Sequence, residues 1–307
     1  MKKISLLFFL LVALMTTFQA CNNEDETTPV PSITSLSPTE FTLDVGAIET
    51  LVINGENFGF DQTVVTVVVG GSSLAVQSVT DTRIEANITN NTPGGNVTVT
   101  VLGQSVTSTE SVTITVILSV TNPITGQTWM DRNLGASQVA TSSANANAFG
   151  DLYQWGRAAD GHEKRTSGTT TTLSNSDTPG HSDFIVPNNI DPNDWRSQKN
   201  DDLWQGVDGT NNPCPSGYRL PTLAEWQAER QSWGSDNAAG AFASPLKLPM
   251  AGIRSTEDGL LSGGGFYWSS SMGEGGNTAA LLGYDDLEAT IGSINRAYGL
   301  SVRCIKD

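Results

Sequence analysis

Apolar and polar residues alternate strictly over the first third of the chain, and after that they do not. Val97, Val99 and Val101 are separated by Thr98 and Thr100, and Val112, Ile114 and Val116 by Thr113 and Thr115. A period of two buries one face of each segment, which predicts half-buried antiparallel strands. Residues 64–69 end at Gly70-Gly71, a two-residue hairpin signal, and Thr92-Pro93-Gly94-Gly95 marks a further turn. Short strands at this spacing, without a helical period, predict an all-β sandwich over residues 31–117.

From Gly126 the texture changes. Residues 126–135 predict a short strand and a polar turn, and the aromatic-rich residues 149–158 a short helix or ordered turn. Residues 160–212 are rich in Gly, Ser, Thr, Asn, Asp and Pro, yet they carry Trp195 and Trp204. Two tryptophans predict an ordered irregular loop pinned by buried rings. One helix start is plainly written: Thr222 and Glu225 form a capping-box pair ahead of an amphipathic run that brings Trp226 and Trp233 to one face. Strands are expected at 246–253, 263–271, 279–284 and 300–305. All seven tryptophans and all five tyrosines lie after Ser119. A second core chemistry implies a second domain, residues 118–307.

The N-terminus adds a compartment. Lys2 and Lys3, the apolar run 6–15 and Phe18-Gln19-Ala20-Cys21 read as a secretory signal over residues 1–20, too short to span a bilayer. A cysteine at the first mature position resembles the bacterial lipoprotein signal, which implies acylation of Cys21 and an outer-membrane, lipid-anchored protein. Asn22-Asn23-Glu24-Asp25-Glu26 is similar to the export tag of Bacteroidetes-type surface lipoproteins, and residues 21–30 read as an acidic, polar tether. A formal charge of −16 repels nucleic acid and anionic headgroups, so contact with the membrane is expected through the lipid only. With Cys21 assigned to the lipid, Cys214 and Cys304 read as a disulfide in an oxidising compartment.

Two stretches resemble known families. Pro31-Ser32-Ile33-Thr34-Ser35-Leu36-Ser37-Pro38 followed by Leu51-Val52-Ile53-Asn54-Gly55-Glu56-Asn57-Phe58-Gly59 is similar to the IPT/TIG immunoglobulin-like domain, which implies a spacer or a binding module, and reads as a stalk. Trp129-Met130-Asp131-Arg132-Asn133-Leu134, residues 214–222 (Cys-Pro-Ser-Gly-Tyr-Arg-Leu-Pro-Thr), Tyr267-Trp268-Ser269-Ser270 and Ser301-Val302-Arg303-Cys304 together resemble the Fibrobacter succinogenes major paralogous domain. That resemblance implies an α+β, C-type lectin-like head with long irregular loops.

The chemistry-bearing residues point away from catalysis. The Glu-Pro-Asn, Gln-Pro-Asp and Trp-Asn-Asp triplets of calcium-dependent lectins are absent, and no Gly-x-Ser-x-Gly elbow occurs. Calcium has one candidate place, the acidic loop 191–208 with Asp191, Asp194, Asp201, Asp202 and Asp208, provided that its oxygens converge. His162 and His181 are too few for a three-histidine iron site, although a zinc site completed by carboxylates is chemically open. Formylglycine-type chemistry would need the cysteines that the disulfide uses. Arg219 and Arg303 are expected as buried ion-pair partners of Glu225 or Asp131. Ligand contact is expected in residues 269–298, read as glycine-rich loops that display Met272, Glu274, Asn277, Tyr284, Asp285, Asn295, Arg296 and Tyr298. The resulting expectation is a surface lipoprotein whose non-catalytic head binds an extracellular glycan or protein. An envelope-assembly protein without a soluble ligand is the alternative, and a formylglycine-generating-like enzyme a further one.

Overall fold

Valine- and threonine-rich alternation produces eight strands in the first domain of the computed structural model, which describes residues 29–187, 193–257, 259, 261–274 and 276–307. They are β1 (Ser32–Ser37), β2 (Glu40–Asp44), β3 (Ile48–Glu56), β4 (Val65–Val69), β5 (Ser72–Thr80), β6 (Arg83–Thr89), β7 (Gly95–Val101) and β8 (Gln104–Ile117). Their order is β1-β3-β6-β5-β4-β7-β8-β2. The sheet folds over on itself: Leu51, Ile53, Ile84 and Ala86 from one half share a core with Val67, Val97 and Val99 from the other. The Gly70-Gly71 and Thr92–Gly95 turns fall where the sequence puts them. One strand departs from the antiparallel expectation, since β2 runs parallel to β8. The signal peptide, Cys21 and most of the tether lie outside the described residues, among which no helix is long and apolar enough to cross a membrane.

The second domain is mostly β with little helix. Its strands are β9 (Ser119–Thr121), β10 (Thr128–Met130), β11 (Tyr153–Gln154), β12 (Thr169–Thr170), β13 (Phe184–Ile185), β14 (Tyr218–Arg219), β15 (Ile253–Arg254), β16 (Leu261–Ser262), β17 (Gly265–Met272), β18 (Thr278–Tyr284), β19 (Ala289–Asn295), β20 (Gly299–Leu300) and β21 (Ile305–Lys306). Helices α1 (Leu223–Gln231) and α2 (Ala238–Ala243) complete it. Strands β17, β18 and β19 form an antiparallel sheet. Strands β14, β21, β10 and β9 form a second sheet beside it.

Buried aromatic rings replace regular structure as the framework of this head. Trp129, Trp155, Trp195, Trp204, Trp226 and Trp268 are all fully buried. Five of these six indoles donate to main-chain carbonyls: Trp155 to Ser269 (2.9 Å), Trp195 to Trp155 (2.7 Å), Trp204 to Asn211 (2.8 Å), Trp226 to Trp268 (3.0 Å) and Trp268 to Tyr153 (2.7 Å). Irregular backbone cannot satisfy its own carbonyls, and a buried carbonyl without a donor is costly. Side chains supply the donors instead. Arg157, wholly buried, donates to the carbonyls of His181 (2.8 Å) and Asp183 (3.0 Å), and Arg254 to those of Gly259 (3.0 Å) and Ser167 (2.8 Å). In this way the described parts of the 160–212 loop are held in an ordered irregular shape.

Three sequence expectations need correction. Residues 246–253 are not a strand. Leu246 and Leu248 are buried, but Pro245 and Pro249 offer no N–H and Lys247 takes φ +50°, so no ladder forms. Residues 300–305 are not one strand but the separate pairs β20 and β21. Residues 269–298 are not loops in the main: they hold the end of β17, all of β18 and the unexpected β19.

Trp226 does anchor α1, tilted against Trp129 at 4.8 Å between ring centroids. The capping box is formed as expected, with the Thr222 hydroxyl accepting from the Glu225 N–H and the Glu225 carboxylate from the Thr222 N–H. Trp233, by contrast, lies beyond the helix end, half-buried and edge-on to Tyr284.

The Cys214–Cys304 bridge joins the segment before β14 to the segment before β21. At the same corner the two domains meet. Asp44, at the end of β2, accepts from the Tyr218 hydroxyl (2.7 Å) and the Lys306 ammonium (2.6 Å), which stand opposite each other on β14 and β21. Partial burial raises the Asp44 carboxyl, but the Lys306 and Tyr218 contacts hold it below the usual range.

Candidate ligand-binding face

A hollow of about 270 Å³ opens on the β17–β18–β19 sheet, beside the start of α1. Leu223, Met272, Ala280 and Ile291 give it apolar walls, and Gly273, Glu274, Gly292 and Ser293 complete it. The geometry follows from lengths. Helix α1 starts at Leu223, after its Thr222 cap, while Ala280 and the facing Ser293 continue the sheet. The uncovered part of the sheet is the floor.

The hairpin between β17 and β18 forms the rim. The Gly273 N–H donates to the Thr278 carbonyl at 3.0 Å, and the Thr278 hydroxyl to the Glu274 carbonyl at 2.8 Å. Gly273 is required here, because a Cβ would come within 2.5 Å of the Ser293 Cβ. Glu274 is exposed, and its carboxylate has no hydrogen bond or ion pair among the described residues.

The eight residues singled out from the sequence do not form one site. Met272 and Glu274 line the hollow; Asn277 flanks the same hairpin, and Asn295 pairs with Thr278 at its base. Tyr284 and Asp285 stand at the opposite end of β18, roughly 20 Å away along the strand. The Tyr284 ring is buried and its hydroxyl donates to the Pro249 carbonyl at 2.9 Å, so it is a core residue. Asp285 is exposed but caps the β18–β19 turn, accepting from the N–H groups of Leu287 (2.8 Å) and Glu288 (3.0 Å). Tyr298 is half-buried against the head core.

Arg296 is interior. It pairs with Asp201 at 2.6 Å, lies 3.8 Å from Asp194, and stacks over the Trp155 ring at 4.8 Å. Its guanidinium also reaches Met272 Sδ at 3.6 Å and the Gly276 carbonyl at 3.4 Å. Arg296 therefore positions the rim from behind. Ile291 and Ser293 lie within the 269–298 region but carried no individual signal, and Leu223 lies outside it, because α1 and β19 meet only in the fold.

Two of the four described carboxylates of the acidic loop face a cation. Asp194 is buried and Asp201 is paired, both at Arg296, while Asp202 and Asp208 are exposed and Asp191 lies outside the described residues. Burial pushes the Asp194 carboxyl up to about 6, against the Arg196 N–H and the Arg296 charge. Among the described residues, three potential metal ligands converge only at Asp160, His162 and Glu163. His162 Nε2 accepts from the Gln154 N–H at 3.1 Å and Nδ1 lies 2.7 Å from Asp160. That pattern requires the Nδ1–H tautomer, with both ring nitrogens engaged. Burial lowers its basicity and keeps the ring neutral. Asp160 also holds Arg157 at 2.7 Å, so the group is a closed network inside the head. His181 accepts from the Asp183 N–H at 3.2 Å.

The arginine expectations divide. Arg219 pairs with Glu225 at 2.8 Å and with Asp307 at 2.7 Å. Arg303 does not reach a carboxylate. It is buried, and donates to Asn133 Oδ1 (2.9 Å) and the Leu246 carbonyl (2.8 Å), binding the irregular 246–249 segment to the head.

Residues 31–117 match the IPT/TIG domain family, so the sandwich is an IPT/TIG domain. No curated protein matches the chain. Among solved structures, a suggested phosphatase from Bacteroides thetaiotaomicron is 22% identical at a TM-score of 0.27, over 40% of this chain and 23% of the other. A protein of unknown function from the same organism is 19% identical at a TM-score of 0.28, over 45% and 32%. An auxiliary nutrient binding protein from Bacteroides ovatus is 21% identical at a TM-score of 0.25, over 30% and 22%. This chain spans less than a third of the length of each of these proteins.

Proposed function

We propose that the chain is a lipid-anchored cell-surface protein, held at Cys21, whose IPT/TIG stalk carries a non-catalytic, C-type lectin-like head that binds an extracellular glycan or protein. The observation that carries the reading is the hollow beside α1, where an uncommitted carboxylate, Glu274, stands over Met272, Leu223 and Ile291. Its lining mixes apolar side chains and polar groups in similar measure, a composition that can orient a polar ligand such as a glycan. Two further features favour binding over catalysis. Both cysteines of the head are joined in the disulfide, and His162 is enclosed in its own hydrogen-bond network.

The test is retention of the mature protein on an array of plant and host glycans and on immobilised extracellular-matrix proteins. Alanine at Met272, Glu274, Asn277 or Asn295 should leave the fold intact and weaken retention about tenfold, the loss of roughly 1.4 kcal/mol of contact. Folded variants that are all retained like the parent would move the site off this face.

A further inference from the structure

The entry end of the IPT/TIG domain exposes apolar side chains that its role as a spacer does not require. The chain enters at one end, where Asn57 Nδ2 donates to the Val30 carbonyl at 3.0 Å. Pro29, Asn57, Gly59, Asp81, Val101 and Leu102 surround a small, mostly apolar hollow of about 140 Å³ there. Strand β8 starts beside it, directly after the Leu102-Gly103 turn, and ends at Ile117, which packs into the core of the head. The head is thus carried at the far end of β8.

Large apolar side chains are exposed at both ends: Val45 and Ile48 follow Asp44 beside the head, and a second group stands at the entry end. Phe60 is 81% exposed and Leu102 60% exposed, with Val30 beside the same entry point. Leu102 sits at φ +48°, in a two-residue hairpin whose first position normally takes asparagine, aspartate or glycine. A bulky residue in the left-handed region is strained, and here the strain holds an isobutyl group out in solvent. Nothing in the core of the domain benefits, because neither Phe60 nor Leu102 belongs to it.

We propose that, beyond the lipid-only contact expected from the net charge, this end of the stalk itself rests on a phospholipid bilayer, with Phe60 and Leu102 entering the headgroup region. The proposal rests on the anchored reading above. Seven residues, 22–28, separate the acylated position from Pro29, and the eight chain steps between them reach at most about 28 Å when fully extended. The entry end is therefore always within reach of the bilayer that holds the lipid, while the head lies a strand's length beyond it. Glu56 and Asp61, exposed nearby, select a zwitterionic surface over an anionic one. Docking fixes the stalk upright and directs the head away from the membrane.

The experiment uses the mature chain with Cys21 coupled to a maleimide lipid in phosphatidylcholine–phosphatidylethanolamine vesicles. Amide hydrogen exchange is compared with that of the same protein free in solution. The Leu102 N–H donates to the Val64 carbonyl and the Gly59 N–H to Asp81, so both report measurably. Exchange at residues 57–64 and 101–104 should slow at least fivefold on the vesicles, with residues 269–298 unchanged. The slowing should vanish in the Phe60→Ser/Leu102→Ser protein and shrink when phosphatidylglycerol replaces half of the lipid. Equal exchange on and off the vesicles, or slowing that survives both serines, would overturn the proposal. Because the lipid is attached chemically, this result is independent of acylation in the cell, which fractionation of Cys21→Ala reads separately.

Discussion

Removing the bridge between Cys214 and Cys304 is the sharpest test of how the head is held together. The bond spans a sequence separation of 90 residues. In the chain-entropy model a loop of that length contributes about 4.6 kcal/mol by restricting the unfolded chain. Cys304 is also fully buried among Tyr218, Leu220 and Val302, so alanine there leaves a small cavity worth roughly a further 1 kcal/mol. For a domain of this size each kcal/mol moves the melting midpoint by about 2–4 °C, so the Cys214→Ala/Cys304→Ala head should melt roughly 10–20 °C earlier.

The distribution of aromatic residues makes the assay domain-specific. Every tryptophan lies in the head, so intrinsic tryptophan fluorescence follows the head alone, while far-ultraviolet circular dichroism follows both domains. The fluorescence transition should move and the sandwich transition should stay, because the Leu51–Val99 core shares no residue with the head cores. A shift of less than about 1 kcal/mol would refute the reasoning on the bridge. Movement of both transitions by the same amount would refute the independence of the two cores.

Three other outcomes are expected. Cys21→Ala should release the protein from the membrane fraction and abolish fatty-acid labelling, as read by fractionation and a clickable palmitate. Burial lifts the folded Asp194 carboxyl from 3.8 to about 6, so the folded state holds a proton that the unfolded state has lost between those values. Its contribution to stability therefore falls as pH rises through that window and is flat above it. The difference in unfolding free energy between parent and Asp194→Asn should change by roughly 2 kcal/mol from pH 4 to pH 7, the parent losing ground, and no change would contradict the burial argument. Asp44→Ala should cut the clasp to Tyr218 and Lys306 and widen the distribution of interdomain distances measured by double electron–electron resonance, with each domain's own stability altered by less than about 1 kcal/mol.

How much of this was legible in the sequence depended on whether the determinant was local. The valine–threonine alternation, the Gly70-Gly71 hairpin and the Thr222–Glu225 capping box each act within a few residues, and the structure has them in place. The cysteine pairing was readable because few partners existed. Residues 246–253 misled because burial of Leu246 and Leu248 mimics a strand face, whereas Arg303 and Lys247 hold that backbone in another shape. Strand β19 was missed because Gly292, Ser293 and Asn295 dilute its pattern and pairing with β18 supplies what propensity does not. The candidate site shows the same division. Met272 and Glu274 could be proposed from a glycine-rich hairpin, but Tyr284 and Arg296 look identical in sequence and are core residues in space. The walls contributed by Leu223 and Ile291 come from elements far apart in the chain.

The most direct test of the central claim fills the hollow and leaves the rest of the surface alone. Ser293 is exposed, on the floor beside Gly273 and Glu274, so Ser293→Trp places a large ring in the space without replacing a core residue. Its affinity for the glycan or matrix protein retained on the array is measured by isothermal titration calorimetry beside its melting midpoint. The account predicts a loss of tenfold or more, at least about 1.4 kcal/mol, with the midpoint within a few degrees of the parent. Unchanged affinity in a folded Ser293→Trp protein would contradict it.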